Sequence, residues 1–268
     1  MKQNDLTRPA LAYKDAEFLE SEEARPVRIL AEYLEPLRTF KREGVHGTVV
    51  FFGSARLSEQ GPLARYYREA RELARQITAW SSALPCHAHH YIVCSGGGGG
   101  IMEAANRGAH DAGGRTIGLN IGLPHEQKPN PYLTPELSFE FHYFFMRKLW
   151  FAHLARALVV FPGGFGTIDE MSEILTLQQT RKLDRKVPIF LYGKSYWSEI
   201  INFDALVRHG MIAEEDLQLF HYVDDPATAL SLLQQHLADE TAEAEQTPVQ
   251  ENAESPPAFA RSKTPVDG

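Results

Sequence analysis

The chain has 268 residues, 43% of them hydrophobic and 10% aromatic, which is enough apolar surface for one or two domains with a substantial core. Its formal charge of −8 excludes a global basic footprint for duplex nucleic acid, and no run approaches the ~18 apolar residues of a membrane span. Within 238–268, Asp239, Glu240, Glu243, Glu245, Glu251, Glu254 and Asp267 are set against only Arg261 and Lys263, so the rest of the chain is close to neutral and suits a small anionic ligand better than a polymer.

The acidic N-terminus lacks the apolar stretch of a secretory leader, which predicts a cytoplasmic protein. Cys86 and Cys94 are too few for a disulfide framework and form no C-x-x-C pair, so both are read as inert thiols. Residues 1–20 look irregular, and 21–42 carry apolar positions at helical spacing, interrupted by Pro26 and Pro36.

From Gly47 onward, β-rich runs alternate with amphipathic ones. TVVFFG at 48–53, YIVCS at 91–95, TIGLNI at 116–121, LVVF at 158–161, VPIFLY at 187–192 and a short run at 219–223 read as strands. Helices are expected near 62–80, 100–112, 143–155, 167–181, 196–209 and 226–237. Continuous apolar strands separated by helices predict a doubly wound, Rossmann-like α/β fold, with a parallel sheet covered on both faces. Beyond Ala238 almost no large apolar residue remains, which predicts a disordered tail. The expected organisation is an extension over 1–46, a nucleotide-binding catalytic domain over 47–237, and the acidic tail over 238–268.

In an open parallel sheet, ligands bind at the carboxyl ends of strands. Three loops lie there: Gly53-Ser54-Ala55-Arg56, Ser95 with Gly96 to Gly100, and PGGFGTIDE at 162–170. In the third, Gly163, Gly164 and Gly166 remove side chains where backbone could approach a phosphate, and Thr167 could cap the following helix. A tight turn that merely needs positive φ is the commoner explanation of one such loop, but two of them after strands of one sheet favour a ligand. Asp169 and Glu170, placed in the first helical turn, could serve the helix dipole alone. A carboxylate beside a bound anion is awkward unless it serves chemistry, which makes Glu170 a candidate catalytic group. Arg147 and Lys148 interrupt the aromatic run FHYFFMRKLWF at 141–151, where a cleft-facing Arg could hold a phosphate or ribose. Cys86, His87, His89 and His90 suggest a metal by type, but they fall at the opposite end of the sheet from the glycine loops, in a stretch read as solvated loop, and no metal is assigned.

These residues resemble the LONELY GUY family of cytokinin riboside 5'-monophosphate phosphoribohydrolases and related nucleotide nucleosidases, often mislabelled as lysine decarboxylases. PGGFGTIDE fits a PGGxGTxxE signature, SGGGGGIMEAANRGA at 95–109 fits an SGGGxGxM run, and GLNIGLPHEQKPNPYL with FFMRK is similar to the longer bacterial branch. The resemblance implies hydrolysis of the N-glycosidic bond of a nucleoside 5'-monophosphate, without a cofactor, by Arg147 and Glu170. It further implies substrate contacts from Gly53, Ser54, Ser95, Gly96, Gly97, Glu126, Lys148, the run Gly163, Gly164, Phe165, Gly166, Thr167, Ile168 and Asp169, and Thr176. A homodimer or higher homo-oligomer is expected, with no nucleic-acid or membrane partner. The chain departs from the family at Gly99, commonly Pro, and at Asp169, which is Glu in plant members. A non-catalytic binding protein for a phosphorylated ligand, such as a molybdenum-cofactor carrier, is the alternative on the same fold, and the Arg147 and Glu170 pair argues for the enzyme. Nothing in the sequence suggests a pyridoxal phosphate lysine.

Overall fold

Strand β1 (Gly47–Phe52) is buried along its whole length, with Val49 and Phe51 packing to one side of the sheet and Val50 and Phe52 to the other. That period-two split, repeated in the neighbouring strands, is what a sheet buried on both faces requires. The computed structural model describes residues 11–85, 90–122, 128–183 and 185–246, with side chains described as far as residue 238.

A 3₁₀ turn (Ala12–Lys14) and the short helix α1 (Ala16–Glu20) precede α2 (Arg25–Arg42). Residues 12–20 are therefore partly helical rather than irregular, because the Asp15 carboxylate caps α1 by accepting from the Phe18 amide. Helix α2 runs unbroken through Pro36. Then follow β1, α3 (Ala64–Ser82), β2 (Tyr91–Ser95), α4 (Ile101–Asp111), β3 (Thr116–Ile121), β4 (Ser138–Phe141), α5 (Phe144–Leu154), β5 (Ala155–Val160), α6 (Phe165–Gln179), β6 (Ile189–Tyr192), α7 (Lys194–Ile200), α8 (Phe203–Arg208), β7 (Phe220–Val223) and α9 (Pro226–Gln246).

The seven strands form one sheet in the order β4-β3-β2-β1-β5-β6-β7, and every pairing is parallel. The doubly wound α/β expectation therefore holds. Helices α3, α4 and α9 cover one face, and α2, α5 and α6 cover the other. The chain builds outward from β1 to β4, then crosses to β5 on the other side of β1. Strands β1 and β5 thus flank the switch point at which the connections diverge and a crevice opens at their carboxyl ends.

The elements differ from the sequence reading at several points. The strand β4 is additional. The helix expected over 196–209 is split at Ile201 and Asn202, where the Asn202 side chain accepts from the Ala205 amide and starts α8 afresh. Helix α9 continues to Gln246, past the expected start of the tail at 238, because the run of Ala, Glu and Gln there favours helix without needing a core; residues 247–268 lie outside the described ones. No helix among the described residues is long and apolar enough to cross a membrane.

Candidate active site

The three glycine-bearing loops meet at the switch point, and Ser54 joins them. Its amide donates to the Pro162 carbonyl at 3.0 Å, and its own carbonyl accepts from the Ile101 amide at 3.1 Å. Close approach sets the residue types. A Cβ on Gly53 would lie 2.7 Å from the Ile101 side chain, and one on Gly100, at φ +66°, would lie 2.2 Å from the Ser54 carbonyl oxygen. Below the second loop, the Ser95 hydroxyl donates to Asn106 Oδ1 at 2.7 Å. Asn130 Nδ2 donates to the Gly97 and Gly98 carbonyls at 3.1 and 3.0 Å. Ser95 and Gly97 therefore support the loop from within, and neither lines the cavity.

The third loop differs from its sequence reading in two ways. Gly163, Gly164 and Gly166 are absent from the positive-φ glycines among the described residues, so a left-handed turn does not account for them. Packing requires glycine only at Gly163, where a Cβ would lie 2.1 Å from Thr167 Oγ1; nothing lies within 4 Å of a Cβ at Gly164 or Gly166. Helix α6 begins at Phe165, with Gly164 at the N-cap and no side-chain cap. Thr167 is thus a buried residue inside the first turn rather than the cap. The helical ladder starts where the Ile168 amide donates to the Gly164 carbonyl at 3.0 Å. The amides of Phe165, Gly166 and Thr167 precede it and have no intrahelical acceptor.

The earlier start places Asp169 and Glu170 beyond the first turn, which holds no acid. The dipole explanation of Glu170 fails with it. Instead, Glu170 meets Arg147 of α5 in an ion pair formed by Arg147 Nη2 and Glu170 Oε1, with only 10% and 12% of the two side chains exposed. Burial pushes the Glu170 carboxyl up to about 7, opposed by the Arg147 guanidinium and reinforced by Asp169. Arg147 Nε is buried without a hydrogen-bond partner. The aromatic rings of Phe144 and Phe151 lie 5.4 and 5.5 Å from its centre and hold it by cation–π attraction.

A cavity of about 720 Å³ opens over these groups, lined by Gly53, Ser54, Gly96, Arg147, Glu170 and the run from Pro162 to Ile168. Its size suits a small molecule. Lys148 lies outside the lining, bonded to Asp169 at 2.9 Å and Glu173 at 2.9 Å. Asp169 is exposed, and Thr176 is exposed a further two turns along α6. Glu126, Cys86, His87 and His89 lie outside the described residues. Cys94 is buried and free, and burial pushes its thiol well above the usual range. Among the described residues, no group of three or more His, Cys, Asp or Glu could hold a metal ion.

Arg56 of the first loop also lines the cavity, as do Leu63, Met102, Phe144, Tyr196 and Ile200, which the sequence did not mark as site residues. Tyr196 donates its hydroxyl to the Gly163 carbonyl at 2.8 Å. It follows strand β6, and the same rule that flagged the other loops, a position just past a strand's carboxyl end, would have flagged it.

The model of a family described as "Possible lysine decarboxylase" matches residues 102–233. A probable cytokinin riboside 5'-monophosphate phosphoribohydrolase of Oryza sativa subsp. japonica is 28% identical over 145 residues, covering 53% of this chain and 61% of that protein. A cytokinin riboside 5'-monophosphate phosphoribohydrolase of Arabidopsis thaliana is 29% identical over 167 residues, covering 61% and 70%. The chain thus spans about three fifths of the first of these relatives. A crystal structure from the Northeast Structural Genomics Consortium superposes with a TM-score of 0.50 at 22% identity, over 70% of this chain and 99% of that one, which supports the fold alone. By sequence, the chain is therefore similar to the LONELY GUY phosphoribohydrolases, through a family match that takes in both Arg147 and Glu170.

Proposed function

We propose that the protein hydrolyses the N-glycosidic bond of a nucleoside 5'-monophosphate, of the AMP or cytokinin riboside type, to a free base and ribose 5-phosphate. The observation that carries this reading is the buried Arg147–Glu170 pair set in the cavity beside the first-turn amides of α6. Those amides and the positive end of the helix receive the phosphate, which fixes the anomeric carbon toward Glu170. As the bond to the base lengthens, positive charge grows on the ribose and the carboxylate stabilises it. Water then adds its oxygen to that carbon while Glu170 takes its proton, and that proton passes to the departing base nitrogen, so one water is consumed and the carboxylate is restored. Arg147 orients the phosphoribosyl part with its remaining donors. No lysine lines the cavity among the described residues, and Lys148 is held by two carboxylates, an arrangement that does not favour amine chemistry at this site.

Apolar side chains stand exposed at the mouth of the site: Phe165 is 94% exposed and Phe144 51%. A second copy of the chain covers this rim in our reading, as apolar patches of this kind mark interfaces. The test is incubation of the purified protein with a panel of nucleoside monophosphates, followed by chromatography for free base, with light scattering for the oligomer. Release of base from at least one nucleotide is expected. Tight nucleotide binding with no release would favour a carrier of phosphorylated ligands.

A further inference from the structure

Helix α2 lies outside the sheet, and one of its residues grips the helix that carries Arg147. The Glu32 carboxylate accepts from the His142 amide at 2.7 Å and from the Tyr143 amide at 3.2 Å. Tyr143 is the N-cap of α5, which has no side-chain cap of its own and no acid in its first turn. The anion at the positive end of α5 is thus supplied from another helix. The backbone of the same residue makes a second attachment. Pro36 has no amide hydrogen, so the Glu32 carbonyl four residues earlier lacks its helical donor, and Trp150 Nε1 of α5 donates to that carbonyl at 3.0 Å. Tyr33 and Phe40, also on α2, pack on the Trp150 ring at 5.6 and 5.2 Å, and the Arg25 guanidinium lies 5.7 Å from the Tyr143 ring.

The link to the site is short. The Tyr143 peptide is held through its amide by Glu32, and its carbonyl accepts from the amide of Arg147 at 3.2 Å. We propose that Glu32 is a positioning residue for the glycosidase reaction: through the carboxylate on the α5 N-terminus and the Pro36-freed carbonyl on Trp150, α2 clamps α5 and sets Arg147 against Glu170. This rests on the reading that Arg147 and Glu170 perform the chemistry. It gives the segment before the sheet a catalytic purpose, because misplacement of a reacting group by about 1 Å costs on the order of a hundredfold in rate.

The experiment compares full-length wild type with Glu32→Ala, Glu32→Gln and Trp150→Phe. Glu32→Ala is expected to lower kcat about 10- to 100-fold with a smaller rise in KM for the nucleotide, since the phosphate loop is untouched and only the Arg147 contact to the phosphoribosyl part is disturbed. Glu32→Gln, which keeps one acceptor oxygen, should recover part of the loss, and Trp150→Phe, which keeps the ring and loses the donor, should fall between. Amide hydrogen exchange over 142–147 is expected to quicken in Glu32→Ala. Wild-type kcat in a folded Glu32→Ala protein would overturn the proposal. Should Glu32→Ala fail to fold, Glu32→Gln and Trp150→Phe decide it by the same split. Should wild type release base from no nucleotide, the function reading fails instead. The clamp is then judged by exchange over 142–147 and by the Glu170 ionisation midpoint from carboxyl NMR, and both unchanged in the variants would overturn it.

Discussion

Arg147 on α5 and Glu170 on α6 meet as a buried ion pair although 23 residues and the whole of β5 separate them. The pair sits where the third glycine loop ends, so a guanidinium, a carboxylate and the first-turn amides of α6 share one cavity. Replacing Glu170 by Gln keeps the shape and a hydrogen-bond acceptor for Arg147 but removes the charge. We expect E170Q to lower kcat by about 10²–10⁴-fold, the range for a positioned acid or base, with nucleotide affinity changed only a few-fold. Calorimetric titration beside single-turnover base release measures both, and retained turnover would sink the assignment.

The same pair sets the pH dependence. Burial lifts the Glu170 carboxyl from about 4.5 to about 7, and the proposed reaction needs the ionised form. Wild-type kcat/KM should therefore rise with pH through a midpoint near 7. Arg147 lowers this midpoint, so R147M should move the limb to higher pH as well as weaken the reaction. Stability follows the opposite sign. Between about 4.5 and 7 the folded state holds a proton that the unfolded chain has lost, so unfolding free energy falls as pH rises through that window and levels above it. The urea midpoint of wild type minus that of E170Q, taken from pH 4 to 8, should decline accordingly; a flat difference would contradict the burial of Glu170.

Much of the fold was readable in the sequence because most central strands are apolar on both faces, and runs such as YIVCS at 91–95 and TIGLNI at 116–121 matched β2 and β3 to the residue. Strand β4 escaped because it is a four-residue edge strand in which Phe139 and Phe141 are buried while Glu140 is exposed, too short a pattern to separate from a loop. In the site, the loops were legible through their glycines, but the start of α6 was not. Thr167 has the chemistry of a cap, and only the backbone shows that α6 starts two residues before it, at Phe165. The contacts made across the fold were out of reach altogether. Glu32 and His142 are 110 residues apart, and no local periodicity marks a carboxylate that caps a distant helix.

The three glycines of the third loop should separate in their responses. G163A drives a Cβ to 2.1 Å from Thr167 Oγ1, and overpacking of this kind costs about 1–3 kcal/mol, so its thermal midpoint should drop. G164A and G166A meet nothing within 4 Å and should fold normally; G166A, inside α6, should gain about 0.5–1 kcal/mol from helix propensity. If the phosphate docks on these amides, both variants should raise KM despite unchanged or improved stability. Wild-type KM in both would move the phosphate elsewhere in the cavity.

Tyr196 offers a finer probe of the same loop. Its hydroxyl is bonded to the Gly163 carbonyl at 2.8 Å, while its ring packs edge-on to Trp197, and Trp197 in turn donates its indole N–H to the Val160 carbonyl at 3.1 Å. The loop is thereby fastened to α7 rather than to the sheet alone. Y196F deletes one hydrogen bond and leaves the Gly163 carbonyl short of a donor, a loss of about 1 kcal/mol, which corresponds to about fivefold. Because the hydroxyl fixes the backbone of the proposed phosphate loop and is bonded to neither Arg147 nor Glu170, the loss should appear in KM, with kcat nearly unchanged. A drop confined to kcat would instead place Tyr196 at the reacting bond.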